Sequence, residues 1–372
     1  MAAAPDVVVV GGGAVGLGVA WRCAQAGARV RVFDSSGGRG ATWAAAGLLA
    51  PVTEVHYGEE PLLALNLESS RRYPAFVDEL EEAGGVATGY RASGTLMVAL
   101  DADESRALDE LFRFQTGLGL EVQRLSGRET RTEEPALAPS VRGGILVEGD
   151  HQVDNRALLE ALRTACERAG VVVATDAVKG VEVSGGRVEA VVTGAEGAVS
   201  CGSAVVAAGS WSGSLEGVPP EAVPPVRPVK GQLLHLRGES LARRNLRGAD
   251  AYLVPRADGR LVVGATVEER GWDTTVTAGA VHELLRAAYE LLPGTAELEL
   301  TEAVAGLRPG TPDNAPLIGP TQVDGLLLAT GHYRNGVLLT PVTADAIASV
   351  VTDGVVPDWA EPFLPTRFGK AA

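Results

Sequence analysis

The sequence predicts a mixed architecture of α/β plus α+β class, with one domain assembled from discontinuous segments and a second domain built on an antiparallel sheet. Three observations predict it. A buried strand, a glycine turn, a helix and a second strand follow one another between Val7 and Asp34. Short alternating strands dominate from about Val218 to Leu300, after a passage with five prolines between Pro219 and Pro228. A second strand–glycine turn–helix unit closes the chain from Leu326 onward. At 372 residues the chain exceeds one compact core, so two domains are expected.

The first element, Val7-Val8-Val9-Val10, is a β-branched run suited to a parallel strand buried on both faces. Gly11-Gly12-Gly13-Ala14-Val15-Gly16 follows and fits G-x-G-x-x-G, the turn that lets backbone approach a pyrophosphate and a helix pack tightly on its strand. Small and apolar residues from Leu17 to Ala26 make the helix, and its N-terminal N–H groups favour a phosphate charge. Arg29 to Phe33 is the second strand, and Asp34 at its tip stands where an acid meets a ribose hydroxyl in such Rossmann-like units. Strand, turn, helix, strand and acid together predict dinucleotide binding; a glycine turn in a cofactor-free protein would leave Asp34 unexplained.

Gly37 to Leu48 is rich in small residues, which let backbone approach something flat and large. Glu59 to Ala83 reads as one or two amphipathic helices, with Pro74 marking a break or a start. A strand is expected from Gly94 to Leu100, a helix from Asp103 to Gln115, an irregular passage around Pro135 and Pro139, and a strand from Gly144 to Val147. Asp154 caps a helix that runs to Arg168. Val171–Ala174, Val178–Val183 and Val188–Val192 read as strands, the last two as a hairpin. Ala204 to Trp211 returns to the first sheet. Strands at Gln232–Leu236, Ala251–Pro255 and Leu261–Gly264, then a helix over roughly Ala278–Leu292, form the wall expected of a small-molecule pocket. The final unit is Leu326–Thr330, the turn Gly331–Gly336, and a helix from Val337 to about Thr352 whose N-terminus points at the same cofactor.

Composition narrows the function. The formal net charge is −15 with no basic block, which argues against nucleic acid and anionic membrane as partners. No segment reaches the ~18 apolar residues of a spanning helix, and the N-terminus lacks the basic residues of a signal peptide. Cys23, Cys166 and Cys201 are scattered, with no zinc spacing and no disulfide framework, so buried thiols in a reducing cytoplasm are expected. The paired acids Glu133-Glu134 and Glu268-Glu269 read as solvated surface.

Six motifs occur in a telling order: Gly11–Gly16 with Asp34, Trp43–Leu48, Val229-Lys230-Gly231, Leu261–Thr266, Gly306–Asp313 and Gly331–Gly336. This set resembles the D-amino acid oxidase family of flavoproteins, and within it the branch that oxidises glycine. The resemblance covers essentially the whole chain. It implies non-covalent FAD, a small amino acid or amine substrate, O₂ as acceptor, and a homo-oligomer, possibly a tetramer. It implies oxidation of the Cα–N bond to an imine, which yields a 2-oxo acid and ammonia while O₂ becomes hydrogen peroxide. The imine of glycine is the precursor of the thiamine thiazole ring. A D-amino acid dehydrogenase or oxidase of broader substrate range, passing electrons to another acceptor, is the alternative.

By the same resemblance, Gly11, Gly13, Val15, Gly16, Asp34 and Ser35 bind the ADP half of FAD, and Val178 contacts its adenine end. Ala41, Thr42, Ala46, Gly47 and Leu48 lie along the pyrophosphate and flavin. His332, Tyr333, Arg334, Asn335, Gly336, Val337 and Leu338 frame the isoalloxazine ring. Arg308 holds the substrate carboxylate with Tyr252, and Arg334 stands at the pocket edge. Arginine supplies a planar bidentate donor that lysine lacks. Arg308 reads as lying in a Pro/Gly-rich turn, where a surface ion pair is the plain alternative. Lys230 is expected to be structural, and His332 to position rather than to act as a base. Covalent flavin is disfavoured because no cysteine lies beyond Cys201. Asp250 and Val267 depart from residues the family carries near the pocket, which bears on substrate range. The expected cofactor domain comprises residues 1–52, 145–217 and 302–372, and the substrate domain 53–144 and 218–301.

Overall fold

A computed structural model describes residues 4–368. The ends of the expected cofactor domain at 1–3 and 369–372 lie outside the described residues. Two large sheets organise the chain. The first has six strands in the order Leu317–Pro320, Leu326–Thr330, Ser203–Val206, Val7–Val10, Val30–Phe33 and Val172–Ala174. Its pairs are parallel except the first. Period-two alternation sends Val7 and Val9 into a helical core, and Val8 and Val10 into a second core with Val188, Val191 and Leu328. That double burial is why the strand is an unbroken valine run.

The helical core comes from Ala14–Gln25, Glu60–Gly84, Asn155–Arg168 and Thr340–Asp353. Trp21 meets Phe76 edge-on with centroids 5.6 Å apart. The break expected at Pro74 does not occur: Glu60–Gly84 is one helix with Pro74 inside it. Pro74 removes one N–H donor, but Leu62 and Leu65 before it and Phe76, Val77 and Leu80 after it enter the same core and hold the two halves together. Gly85 ends the helix in the left-handed conformation.

The second sheet has eight strands, in the order Glu299–Gly310, Arg227–Arg237, Arg260–Gly264, Tyr252–Pro255, Asn245–Arg247, Thr95–Ala99, Gly143–Val147 and Gln123–Ser126. Every pair is antiparallel except Asn245–Arg247 with Thr95–Ala99. One face is covered by the helix Ala278–Leu291 through Leu284, Ala287, Ala288 and Leu291.

Two expectations, for Arg308 and Glu134, need correction here. The strand Gly143–Val147 pairs with Thr95–Ala99, and Glu299–Gly310 pairs along its length with Arg227–Arg237. Both strands therefore belong to the antiparallel sheet. Arg308 stands on that long strand instead of in a turn, and Pro309 is tolerated because the strand is the sheet's edge. Glu134 is buried, not solvated, and accepts the Arg243 and Arg244 backbone N–H groups at 2.9 and 2.7 Å.

Cys23 and Cys166 are buried and Cys201 partly so; all three are free. Burial pushes the first two thiols up to about 12. Among the described residues no group of His, Cys, Asp and Glu could hold a metal ion, and no helix is long and apolar enough to cross a membrane.

Candidate active site: a cofactor cradle facing an arginine–tyrosine wall

One cavity of about 540 Å³ runs between the two sheets. Every cofactor or substrate residue expected from sequence lines it except Leu338, whose side chain is buried in the helical core. The Leu338 carbonyl accepts Ser69 Oγ at 2.6 Å, so this residue ties the turn to the helix behind it. Sequence position alone could not separate it from its neighbours, because the direction of a turn residue is set by the packing beneath.

At one end lies the glycine turn. Gly11 has φ +111°, and a methyl group there would overlap the Ala207 carbonyl. A methyl on Gly16 would overlap the Gly11 carbonyl, so the helix can sit this close to the strand only as glycine. Ala14 N–H donates to Thr42 Oγ1 at 3.2 Å, while the Val15 and Gly16 N–H groups have no acceptor among the described residues. An uncapped helix start opening on a cavity is a donor set for an anion. Asp34 accepts Ser36 N and Oγ at 3.0 and 2.8 Å and Gly38 N at 2.6 Å. Ser35, Asp176 and Val178 extend this end of the cavity.

Midway, Ala41, Thr42, Ala46, Gly47 and Leu48 form one wall. Asn155 donates from Nδ2 to the Thr42 and Trp43 carbonyls at 2.8 and 3.0 Å, and Arg256 donates to the Ala46 carbonyl at 2.7 Å. These buried donors hold the small-residue run in shape. At the far end comes the turn from His332 to Val337. The regular helix starts at Thr340, later than expected, after a turn closed by Leu339 N–H to the Asn335 carbonyl at 2.8 Å. The N–H groups of Gly336, Val337 and Leu338 take no acceptor among the described residues. They form a second anion-ready donor set, the kind that stabilises negative charge on a reduced ring.

His332 is buried, with Nε2 2.9 Å from Thr343 Oγ1. Burial holds its pKa down at about 3, so the ring is neutral and bonded. Unfolded histidine titrates near 6.5, so between about pH 3 and 6.5 the unfolded state binds the extra proton and stability falls as pH drops. His332→Gln removes this acid-sensitive contribution. Its stability deficit against the parent protein is expected to shrink by ~2 kcal/mol between pH 7 and pH 5, read by urea unfolding at each pH.

The opposite wall is the cavity face of the eight-stranded sheet. Arg247 pairs with Tyr252, Tyr252 with Gly264, and Gly264 with Leu233, so these four side-chain positions form a row on one face. Tyr252 lies across Gly264, where a methyl group would sit 2.5 Å from the phenol oxygen. Burial raises the Tyr252 pKa, opposed by the neighbouring Arg308, so the phenol stays protonated and can donate. Arg308 occupies the space above Gly231 and donates from Nη1 to the Thr266 carbonyl at 3.1 Å. The same alternation turns Lys230 away from the cavity. It is fully buried on the other face and bonds Asp273 Oδ2 at 2.6 Å, the structural role expected. Of the two departures noted in sequence, Asp250 turns toward Arg286 at 3.0 Å, and Val267 is exposed at the rim.

Gly231→Ala should displace the Arg308 guanidinium without removing its charge, because a methyl group would overlap it. A misplacement of about 1 Å is enough to lower kcat/KM on the order of 10²-fold. Steady-state kinetics on the flavin-loaded variant checks this, and an unchanged KM would show that the guanidinium does not meet substrate where it rests.

Two wall residues escaped the sequence reading: Glu54 and Arg247. Glu54 forms ion pairs with Arg247 and with Arg334 Nε, the latter at 3.5 Å, while Arg334 Nη2 also approaches Glu59 at 3.5 Å. Burial alone would raise the Glu54 pKa, and the two guanidiniums outweigh it and hold the carboxylate ionised. The only local signal was an acid shortly after the small-residue run, past Pro51-Val52-Thr53.

Two anion-ready backbone ends joined by a small-residue groove, with an arginine and a protonated tyrosine facing them, are the features of a dinucleotide-dependent oxidoreductase. The chain belongs to the DAO family, described as FAD dependent oxidoreductase, whose profile matches residues 6–350. Its cofactor is therefore FAD, and the family expected from the six motifs is the family found. The chain is 36% identical over 98% of its length to the bifunctional protein ThiO/ThiG of Synechocystis sp., and covers 54% of that protein. It thus spans about half the length of such bifunctional relatives. It is 32% identical to glycine oxidase of Bacillus licheniformis, covering 97% of both chains. Glycine oxidase from Geobacillus kaustophilus superposes with a TM-score of 0.91 at 32% identity, over 98% of this chain and 99% of that one.

Proposed function

We propose that this protein oxidises the Cα–N bond of glycine, with sarcosine and small D-amino acids as secondary substrates. The products are an imine, then a 2-oxo acid and ammonia, with O₂ reduced to hydrogen peroxide. The observation that carries this reading is the convergence of Arg308 and Tyr252 on one cavity face, opposite the backbone donors of Gly336 and Val337. Near full-length likeness to proteins named glycine oxidase supports it.

Bound FAD would supply the acceptor for a hydride from the substrate Cα and the route of its electrons to O₂. The chain's own residues orient and stabilise. Val15 and Gly16 would hold the pyrophosphate on the helix start, and Asp34 with Ser35 would serve the ribose end. The N–H groups of Gly336, Val337 and Leu338 would stabilise the negative charge that grows on the cofactor. Arg308 grips the substrate carboxylate through two parallel donors, and Tyr252 adds a third. Because hydride transfer needs no protein base, alignment and charge complementarity are the protein's contributions. None of the three cysteines lines the cavity, in keeping with non-covalent attachment.

Free thiols in every cysteine support a cytoplasmic location. The imine of glycine suits the thiazole ring of thiamine, and the ThiO/ThiG relatives support that destination. A homotetramer is proposed and is read by light scattering of the holoprotein. The deciding experiment measures peroxide release from glycine, sarcosine, D-alanine and D-proline. Release from glycine at the highest kcat/KM is expected; release only from larger D-amino acids would reassign the substrate, and flavin bleaching without peroxide would reassign the acceptor.

A further inference from the structure

Arg247 has no task in the scheme above, yet it lines the cavity. Its direct pairing with Tyr252 fixes its direction, because opposed residues on antiparallel strands project from the same face. It cannot swing freely there. Glu54 forms an ion pair with it, and Glu54 is itself only 13% exposed and held by Arg334 from the other side. The turn carrying Glu54 is anchored in turn: buried Asp150 accepts Val52 N at 3.0 Å, Thr53 N at 2.7 Å and Thr53 Oγ1 at 2.6 Å. Displacing either partner would strand a buried charge, which is strongly unfavourable. The pair is therefore a rigid, polar piece of wall beside the phenol that meets the substrate.

We propose that the Glu54–Arg247 ion pair is the specificity-determining wall of the substrate cavity, admitting amino acids with little or nothing at Cα and excluding branched or extended ones. A hydrogen or methyl substituent leaves the pair intact. An isopropyl group pressed against it would have to break the pair or strip its water, with no polar replacement to offer. This inference rests on the amino acid oxidase reading, since it assigns the part of the substrate that Arg308 and Tyr252 leave free.

The test uses flavin-loaded protein and three variants: Arg247→Ala, Arg247→Leu, and the double variant Glu54→Gln/Arg247→Ala, which leaves no stranded carboxylate. In the first arm, flavin absorbance is titrated with acetate, propanoate, butanoate and 3-methylbutanoate. In the second, kcat/KM is compared for D-valine and glycine by peroxide release. The parent protein should bind the short acids best. The double variant should raise the D-valine to glycine ratio by about tenfold or more, the scale of one to two methylene groups admitted to a pocket. Its 3-methylbutanoate to acetate affinity ratio should move the same way. Arg247→Leu, which keeps most of the bulk, should move both ratios less than Arg247→Ala. Equal weakening of all four acids in yellow protein would mark the pair as merely structural and overturn the proposal, as would unchanged ratios. If the parent protein releases no peroxide from any amino acid, the oxidase reading fails, while the carboxylate series still decides whether this wall sets ligand size.

Discussion

Arg308→Ala is expected to leave a yellow, folded protein whose kcat/KM for glycine falls roughly 30- to 1,000-fold, mostly through KM. Loss of a charge-assisted bidentate contact in a desolvated site costs about 2–4 kcal/mol, and each 1.36 kcal/mol is about tenfold in rate. The flavin should be retained because the Arg308 hydrogen bonds run to the Thr266 and Lys230 carbonyls and to none of the residues expected to hold the cofactor. The effect should fall on KM because the carboxylate is gripped equally in the ground and transition states. Arg308→Lys should recover only part of the loss, since an ammonium cannot present two parallel donors. Unchanged glycine kinetics in the alanine variant would remove Arg308 from the carboxylate role.

Gly16→Ala should be more severe, because it strikes the fold and the cofactor together. The added methyl would overlap the Gly11 carbonyl and press on the Ala207 methyl at 3.3 Å. Backbone on one side and a packed sheet on the other leave no flexible group to yield. The helix Ala14–Gln25 must move off the strand Val7–Val10, taking the Val15 and Gly16 N–H groups out of line with the pyrophosphate. Overpacking of this kind costs about 1–3 kcal/mol in stability. The protein should purify largely colourless, with a lower Tm that added FAD restores only in part. Gly279→Ala is the matched control: it lies in the helix Ala278–Leu291 with open space around it, and should keep its flavin and gain Tm. A fully yellow Gly16→Ala protein of parental Tm would refute the close-packing argument.

These predictions draw on two kinds of information. The cofactor cradle was legible in the sequence because its determinants are local. Val7 to Asp34 encodes its burial in a valine run, its turn in glycines and its polarity in one terminal acid, all within one βαβ unit. Motif order along the chain then identified the family. The long strand Glu299–Gly310 was not legible: its glycines and prolines read as a turn, and only its position at a sheet edge makes them compatible with a strand. Pro74 misled for a parallel reason, since a local helix breaker yields to core contacts made on both sides of it.

The direction of each wall residue belongs to the tertiary structure alone. Lys230 and Gly231 are neighbours in sequence, yet one is buried against Asp273 and the other opens the floor for Arg308. A strand has only two faces, and which of them meets the cavity depends on register with partners 20 to 80 residues away, such as Gly264 and Gly306. Glu54 and Arg247 lie still further apart in sequence and in different elements, so no spacing could announce their pairing. Sequence by itself determined the fold class, the cofactor and the family, because those reside in short-range pattern. Tertiary structure decided which charges meet inside the cavity, because β register and the packing behind each turn are set by contacts that a linear sequence does not order.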